Sequence, residues 1–172
     1  MKKYVWLLVL ALCLTGCAKQ ETFETVNDEI VTPAIATMQQ TLVELPEGAA
    51  STVMETDGGR LYFCGDYTVS RFVTESGDLE KTVKSVSGFS ADQLQIMQTN
   101  WGETERYDFV WTAAAETGQQ LCRACILDDG NYHYILVAAG QADQAGRLQE
   151  AWVKMFDSFR IVSGDFPLDI GS

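Results

Sequence analysis

Asp128-Asp129-Gly130-Asn131-Tyr132-His133-Tyr134-Ile135-Leu136-Val137-Ala138-Ala139 is the stretch that decides the fold. Its first four residues are a turn: Asp and Asn side chains bond nearby backbone N–H groups, and Gly accepts a left-handed conformation. From Tyr132 onward the chain is apolar on both faces at period 2. Tyr132, Tyr134, Leu136 and Ala138 lie on one side, His133, Ile135, Val137 and Ala139 on the other. A strand of that kind is covered on both sides and therefore central in its sheet. Upstream, Leu121 to Leu127 supplies the other arm of a hairpin. Downstream, from about Ala142 to Ser158, residues Ala145, Leu148, Trp152, Met155, Phe156 and Phe159 recur at helical spacing and predict a long amphipathic helix.

The same signals extend outward. Leu61 to Cys64 and Tyr67 to Val69 flank Gly65-Asp66, a two-residue Gly-X loop of type II′ character. Leu94 to Thr99 and Arg106 to Ala113 flank the turn Asn100-Trp101-Gly102, and Tyr107, Phe109 and Trp111 share one face of the second arm. Thr41 to Leu45 is strand-like and stops at Pro46. Asp78 is placed to cap a short helix reaching Ser87, with Leu79, Val83 and Val86 on its apolar face and Gly88 ending it. Thr32-Pro33 fits either a helix start or an extended segment. The class is α+β: a central antiparallel sheet with helices packed on it, the longest at the C-terminus.

Composition agrees. The 172 residues are 47% hydrophobic and 21% charged, which is globular. Twenty-four acidic residues against 12 basic ones give a net charge of −12, and losing Lys2 and Lys3 with a leader takes it to −14. No basic stripe is present, so nucleic acid is not a partner, because that affinity rests on Lys and Arg neutralising phosphates. Peripheral adhesion to anionic lipid headgroups is disfavoured for the same reason.

The N-terminus carries an address. Lys2 and Lys3 precede an unbroken apolar run from Tyr4 to Leu14, about half the length a membrane-spanning helix needs. The run ends in Leu14-Thr15-Gly16-Cys17. This pattern resembles the lipobox of bacterial lipoproteins. The resemblance implies cleavage after Gly16, diacylglyceryl transfer to the Cys17 sulfur, and an extracytoplasmic protein held to a bacterial membrane by its lipid. The expected organisation is a signal peptide over 1–16, a tether over 17–27 and a single α+β domain over 28–172.

A second resemblance covers about residues 120–162. The Asp-Asp-Gly-Asn-Tyr hairpin, the apolar strand and the helix ending in Trp152, Phe156, Asp157, Ser158, Phe159 and Arg160 look like the C-terminal part of PsbP-like domains. Those are α/β/α sandwiches with a central antiparallel sheet, found in bacterial lipoproteins and photosystem assembly subunits. The fold group shares no catalytic residues, so the resemblance implies shape and a bias toward binding.

The residues themselves carry little chemistry. His133 is the only histidine, and its place in a central strand points to a structural role rather than a catalytic one. Cys64, Cys122, Cys125 and His133 make four potential zinc ligands. Cys122-Arg-Ala-Cys125 lies within a strand, however, where three-residue spacing sends the two thiols to opposite faces, so no metal is expected. A disulfide from Cys64 to Cys122 or Cys125 competes with three buried thiols. Asp128-Asp129 reads as Asx-turn chemistry rather than a calcium or glycosidase pair. Of the aromatics, Trp101 alone falls at a turn where exposure is expected, which makes it the candidate partner-contact residue; the competing reading folds it onto the sheet edge as a cap on the core.

The functional expectation is a non-catalytic binding or assembly module at the cell envelope, with no cofactor. Its partner is an envelope protein or a small ligand. The alternative is a solute-binding lipoprotein with a deep aromatic-lined pocket, and an uncharacterised enzyme ranks third.

Overall fold

The computed structural model describes residues 22–26, 38–53, 59–116 and 118–162. The expected signal peptide, the lipobox-like stretch with Cys17 and the Thr32-Pro33 segment lie outside the described residues. Ten strands and two helices succeed one another along these residues: β1 Phe23–Val26, β2 Gln40–Pro46, β3 Ala50–Val53, β4 Arg60–Phe63, β5 Tyr67–Glu75, α1 Leu79–Ser87, β6 Met97–Trp101, β7 Thr104–Ala115, β8 Gly118–Asp128, β9 Tyr132–Gln141, α2 Ala145–Ser158 and β10 Arg160–Val162. Short 3-10 turns at Ala91–Gln93 and Ala142–Gln144 lead into β6 and α2.

Seven strands form one antiparallel sheet in the order β3-β4-β5-β9-β8-β7-β6. The strand expected to be central, β9, is the fourth of the seven. Its two faces part as period 2 requires. Tyr132, Tyr134, Leu136 and Ala138 join a core shared with Leu148, Trp152, Met155 and Phe156 of α2 and with Val43 and Leu45 of β2. Ile135, Val137 and Ala139 face the opposite core, built with Val83, Leu79 and Val86 of α1 and with Tyr107, Phe109 and Trp111 of β7. The sheet is thus sandwiched between two layers, and the expected α+β architecture is present.

Local chemistry explains the helix ends. The Asp78 side chain accepts from the Glu80 N–H, and Gly88, at φ 80°, returns its N–H to the Lys84 carbonyl. Helix α2 sits tightly on β9 because residue 140 lacks a side chain. A Cβ there would lie 2.7 Å from Leu148 Cδ1 and 3.1 Å from Tyr67 Cβ. Gly65 takes the left-handed φ, 72°, that its hairpin needs.

Three expectations are corrected. Four residues of the expected 17–27 tether, Phe23–Val26, are paired antiparallel with β2 as strand β1. Together with β10 these make a second, three-stranded sheet in the order β1-β2-β10. Lys154 of α2 clips it down, lying 3.3 Å from Glu44 and 4.6 Å from the centre of the Phe23 ring. The strand expected from Leu94 starts only at Met97, since Leu94 and Ile96 are drawn onto the α1-side core instead. The turn expected at Asn100-Trp101-Gly102 sits later. Trp101 pairs with Thr104 as the last residue of β6, and Gly102, at φ 64°, opens a two-residue loop with Glu103.

Candidate functional site

The surface that stands apart is the β6 edge. Every residue of Met97–Trp101 is exposed, Trp101 at 55% and Met97 at 61%, whereas Trp111 and Trp152 are buried. Among the described residues strand β6 has β7 on one side only, and its other flank presents a row of backbone groups. Met97, Thr99 and Trp101 pair with Asp108, Arg106 and Thr104, so they share the face of the sheet that carries α2. Val110 of β7, at the same parity as Arg106 and Asp108, is also exposed, at 52%.

Beneath that surface lies a fixed charged group. Arg106 binds Asp108 through Nε at 2.6 Å and Nη2 at 3.1 Å, and its Nη2 also donates to the Phe156 carbonyl at 2.9 Å. Arg123 reaches Asp108 at 3.2 Å and lies 4.3 Å over the Phe156 ring. The Arg106 guanidinium therefore caps the C-terminal carbonyls of α2, where positive charge is favoured. Burial works against its charge, but the hydrogen bond to Asp108 and the neighbouring negative groups outweigh it and raise the pKa. Sequence reading did not find this trio; the alternation Arg106-Tyr107-Asp108 within a strand was the available signal.

His133 is fully buried on β9. Its Nδ1 shares a 2.8 Å hydrogen bond with Thr82 Oγ1 of α1, and its Nε2 lies 3.3 Å from Asp128 Oδ2 without completing a hydrogen bond. Asp128 is held in turn by the Ser76 hydroxyl and the Gly130 N–H. The hydroxyl, imidazole and carboxylate stand in a row, but Thr82 is inside a helix and the ring has no solvent face. The arrangement ties α1 to the sheet. Asp128 sits opposite His133 in the hairpin register, so this partner was readable from the turn. Asp129 does the Asx work expected of it, accepting from the Asn131 and Tyr132 N–H groups.

Cys64, Cys122 and Cys125 are buried thiols with no disulfide among them. The disulfide from Cys64 to Cys122 or Cys125 is corrected by the sheet. Cys122 faces the α1-side core, so a bond to Cys64 would have to cross the sheet. Cys125 shares the face of Cys64, but β5 and β9 lie between their strands, a separation of roughly 14 Å at about 4.8 Å per strand. Disulfides need Cα atoms within about 7 Å. Burial raises the thiol pKa of Cys122, and it raises that of Cys125 with help from Asp108. Among the described residues no group of three or more His, Cys, Asp or Glu is placed to hold a metal ion. An open cleft of about 290 Å³ separates α1 from β5; Phe72 is the one aromatic in its lining, which otherwise mixes Thr74, Glu75, Lys81 and Thr82 with Val86 and Ile135.

The chain matches no family model and no curated protein. Solved structures do match. The solution structure of cyanobacterial PsbP (CyanoP) from Synechocystis sp. PCC 6803 superposes with a TM-score of 0.59 at 11% identity, over 86% of this chain and 96% of that one. The fold is PsbP-like. Two further PsbP-like neighbours have TM-scores of 0.50. LpqN, involved in cell envelope biogenesis of Mycobacterium tuberculosis, matches at 12% identity over 82% of this chain and 92% of its own. The Saccharomyces cerevisiae Ran-binding protein Mog1p matches at 10% identity over 83% and 97%. At such identities the likeness establishes the PsbP-like architecture alone. Among the described residues no helix is long and apolar enough to cross a membrane.

Proposed function

We propose that this chain is a bacterial cell-envelope lipoprotein, anchored through Cys17, whose PsbP-like domain is a non-catalytic binding or assembly module that contacts its partner through Trp101. The carrying observation is the β6 edge, where a tryptophan stays 55% exposed on a strand with no gatekeeping charge. The lipobox Leu14-Thr15-Gly16-Cys17 supports the anchor. LpqN is involved in cell envelope biogenesis and Mog1p binds Ran, and both roles fit a module that works by contact. The one histidine is enclosed between Thr82 and Asp128, which supports a structural role for it. The open cleft beside α1, with Phe72 as its one aromatic, is not the aromatic-lined pocket that the solute-binding alternative calls for.

Two measurements on intact cells test this. Cys17→Ser should abolish lipid labelling and release the protein or leave it unprocessed; normal membrane retention would sink the anchor. An aromatic photo-crosslinking residue in place of Trp101 should capture a defined species, and with the photo-crosslinking residue placed instead at the neighbouring exposed Glu103, Trp101→Ala should weaken that capture by about 2 kcal/mol with an unchanged melting temperature. No adduct at position 101, with adducts elsewhere on the domain, would remove Trp101 from the contact.

A further inference from the structure

The sequence of the β6 edge is self-complementary. Met97-Gln98-Thr99-Asn100-Trp101 reads apolar, amide, hydroxyl, amide, apolar from either end, with no charge in a chain of net charge −12. The backbone has matching parity. Trp101 pairs with Thr104 across the two-residue loop, so the amide groups of residues 97, 99 and 101 point toward β7. Those of Gln98 and Asn100 point outward, to the flank that no described strand occupies.

We propose that the partner at this edge is a second copy of the chain, paired antiparallel through β6 about a two-fold axis at Thr99. This rests on the reading of Trp101 as the contact residue. About that axis Gln98 stands opposite Asn100 of the partner subunit, and the two exchange both backbone hydrogen bonds. The symmetric pair repeats them, so every outward amide of the strand centre is satisfied. Thr99 meets Thr99 of the partner subunit in a non-hydrogen-bonded site. Met97 stands opposite Trp101 of the partner subunit, also in a non-hydrogen-bonded site, where side chains come closest. That pairing matches a thioether with an aromatic ring and buries the two most exposed large apolar side chains of the strand. A register shifted by one residue along the strand would set inward-pointing amides against outward ones and satisfy neither. The acidic charge of each copy disfavours most faces for self-contact, whereas the β6 seam carries none of it.

Cysteine cross-linking in the full chain reads the register directly. The native Cys64, Cys122 and Cys125 are buried, which keeps the background low. Thr99→Cys should form a covalent dimer under mild oxidation in cells, because facing Cβ atoms across such a pair lie about 4.5–5.5 Å apart. Met97→Cys and Trp101→Cys, co-expressed, should cross-link to each other far more than either does to itself. Glu80→Cys, exposed on α1 across the sheet, should not. Asn100→Pro removes an outward N–H and should raise the dimer dissociation constant of the detergent-solubilised full chain by about tenfold or more. If that variant misfolds, the Thr99 and Met97/Trp101 cross-links still decide. Cross-linking of Thr99→Cys no faster than Glu80→Cys would overturn the self-pairing. Capture of a different protein at position 101 in the same cells would then leave the contact reading standing, and absence of any adduct there would remove both.

Discussion

Asp108 is the residue on which the β7–β8 end of the core turns. It pairs with both Arg106 and Arg123, and Arg106 in turn holds the last carbonyls of α2. Breaking a buried ion pair by deleting one partner leaves charge stranded in a dry site, at a cost of about 3–5 kcal/mol. Asp108→Ala should therefore lower the urea midpoint strongly, and a change within experimental error would contradict the assigned role. The thiols make a second residue-scale case. Cys122 and Cys125 are buried and their pKa values are raised by that burial. Since the thiolate is the nucleophile, both should alkylate slowly at neutral pH in the native protein and rapidly after denaturation, as mass spectrometry would record.

Among the elements, the two helices depend on different forces. Helix α1 has nine residues and a single fully buried side chain, Val83, so its caps matter. Asp78→Ala should cost about 1 kcal/mol, because one orphan N–H of the first turn loses its acceptor. Helix α2 is held by packing. Trp152, 2% exposed, meets Tyr67 edge-on with ring centres 6.1 Å apart and lies in the same core as Val43 of the small sheet. Trp152→Ala should cost about 3–5 kcal/mol, several times the cap, in parallel denaturation curves. Similar losses for the two variants would show that α2 contributes less to the core than its burial implies.

For the molecule as a whole, alkaline pH should be destabilising. Burial, then the hydrogen bond and charge of Glu105, push the Tyr107 hydroxyl from its ordinary 10.0 up to about 12. Burial also raises Tyr134, Cys122 and Cys125. Each is an acid whose folded pKa lies above its unfolded value, so the native state keeps protons that the unfolded chain has lost. The associated stability is complete below the unfolded pKa and declines as pH rises through the folded one. Unfolding free energy should therefore fall from about pH 9, where the thiols titrate when unfolded, and keep falling toward pH 12. In Tyr107→Phe the loss between pH 10 and 12 should be smaller; an identical curve would remove Tyr107 as a contributor.

Much of this fold was written in local pattern. The hairpin turns, the two-faced strand β9, the Asp78 and Gly88 caps and the stripe of α2 depend on residues within a few positions of one another, and period or turn chemistry exposes them. The opposite faces of Cys122 and Cys125 come from strand parity alone. Other features were not local. Phe23–Val26 is too polar and too short to declare itself a strand, and becomes one because β2 offers it an edge. Leu94 and Ile96 have strand-like spacing but are pulled into the α1-side core. The partition of thiols between two cores, the separation of Cys64 from Cys125 and the Arg106–Asp108–Arg123 trio depend on strand order, which no short stretch encodes. The same holds for the exposure of Trp101. Its neighbours in sequence mark a turn, but only the position of β6 as the last of the seven described strands leaves its face uncovered and its outer amides without a described strand partner. Periodicity tells a strand which way to face, whereas its place in the sheet is set by how the whole chain closes its core.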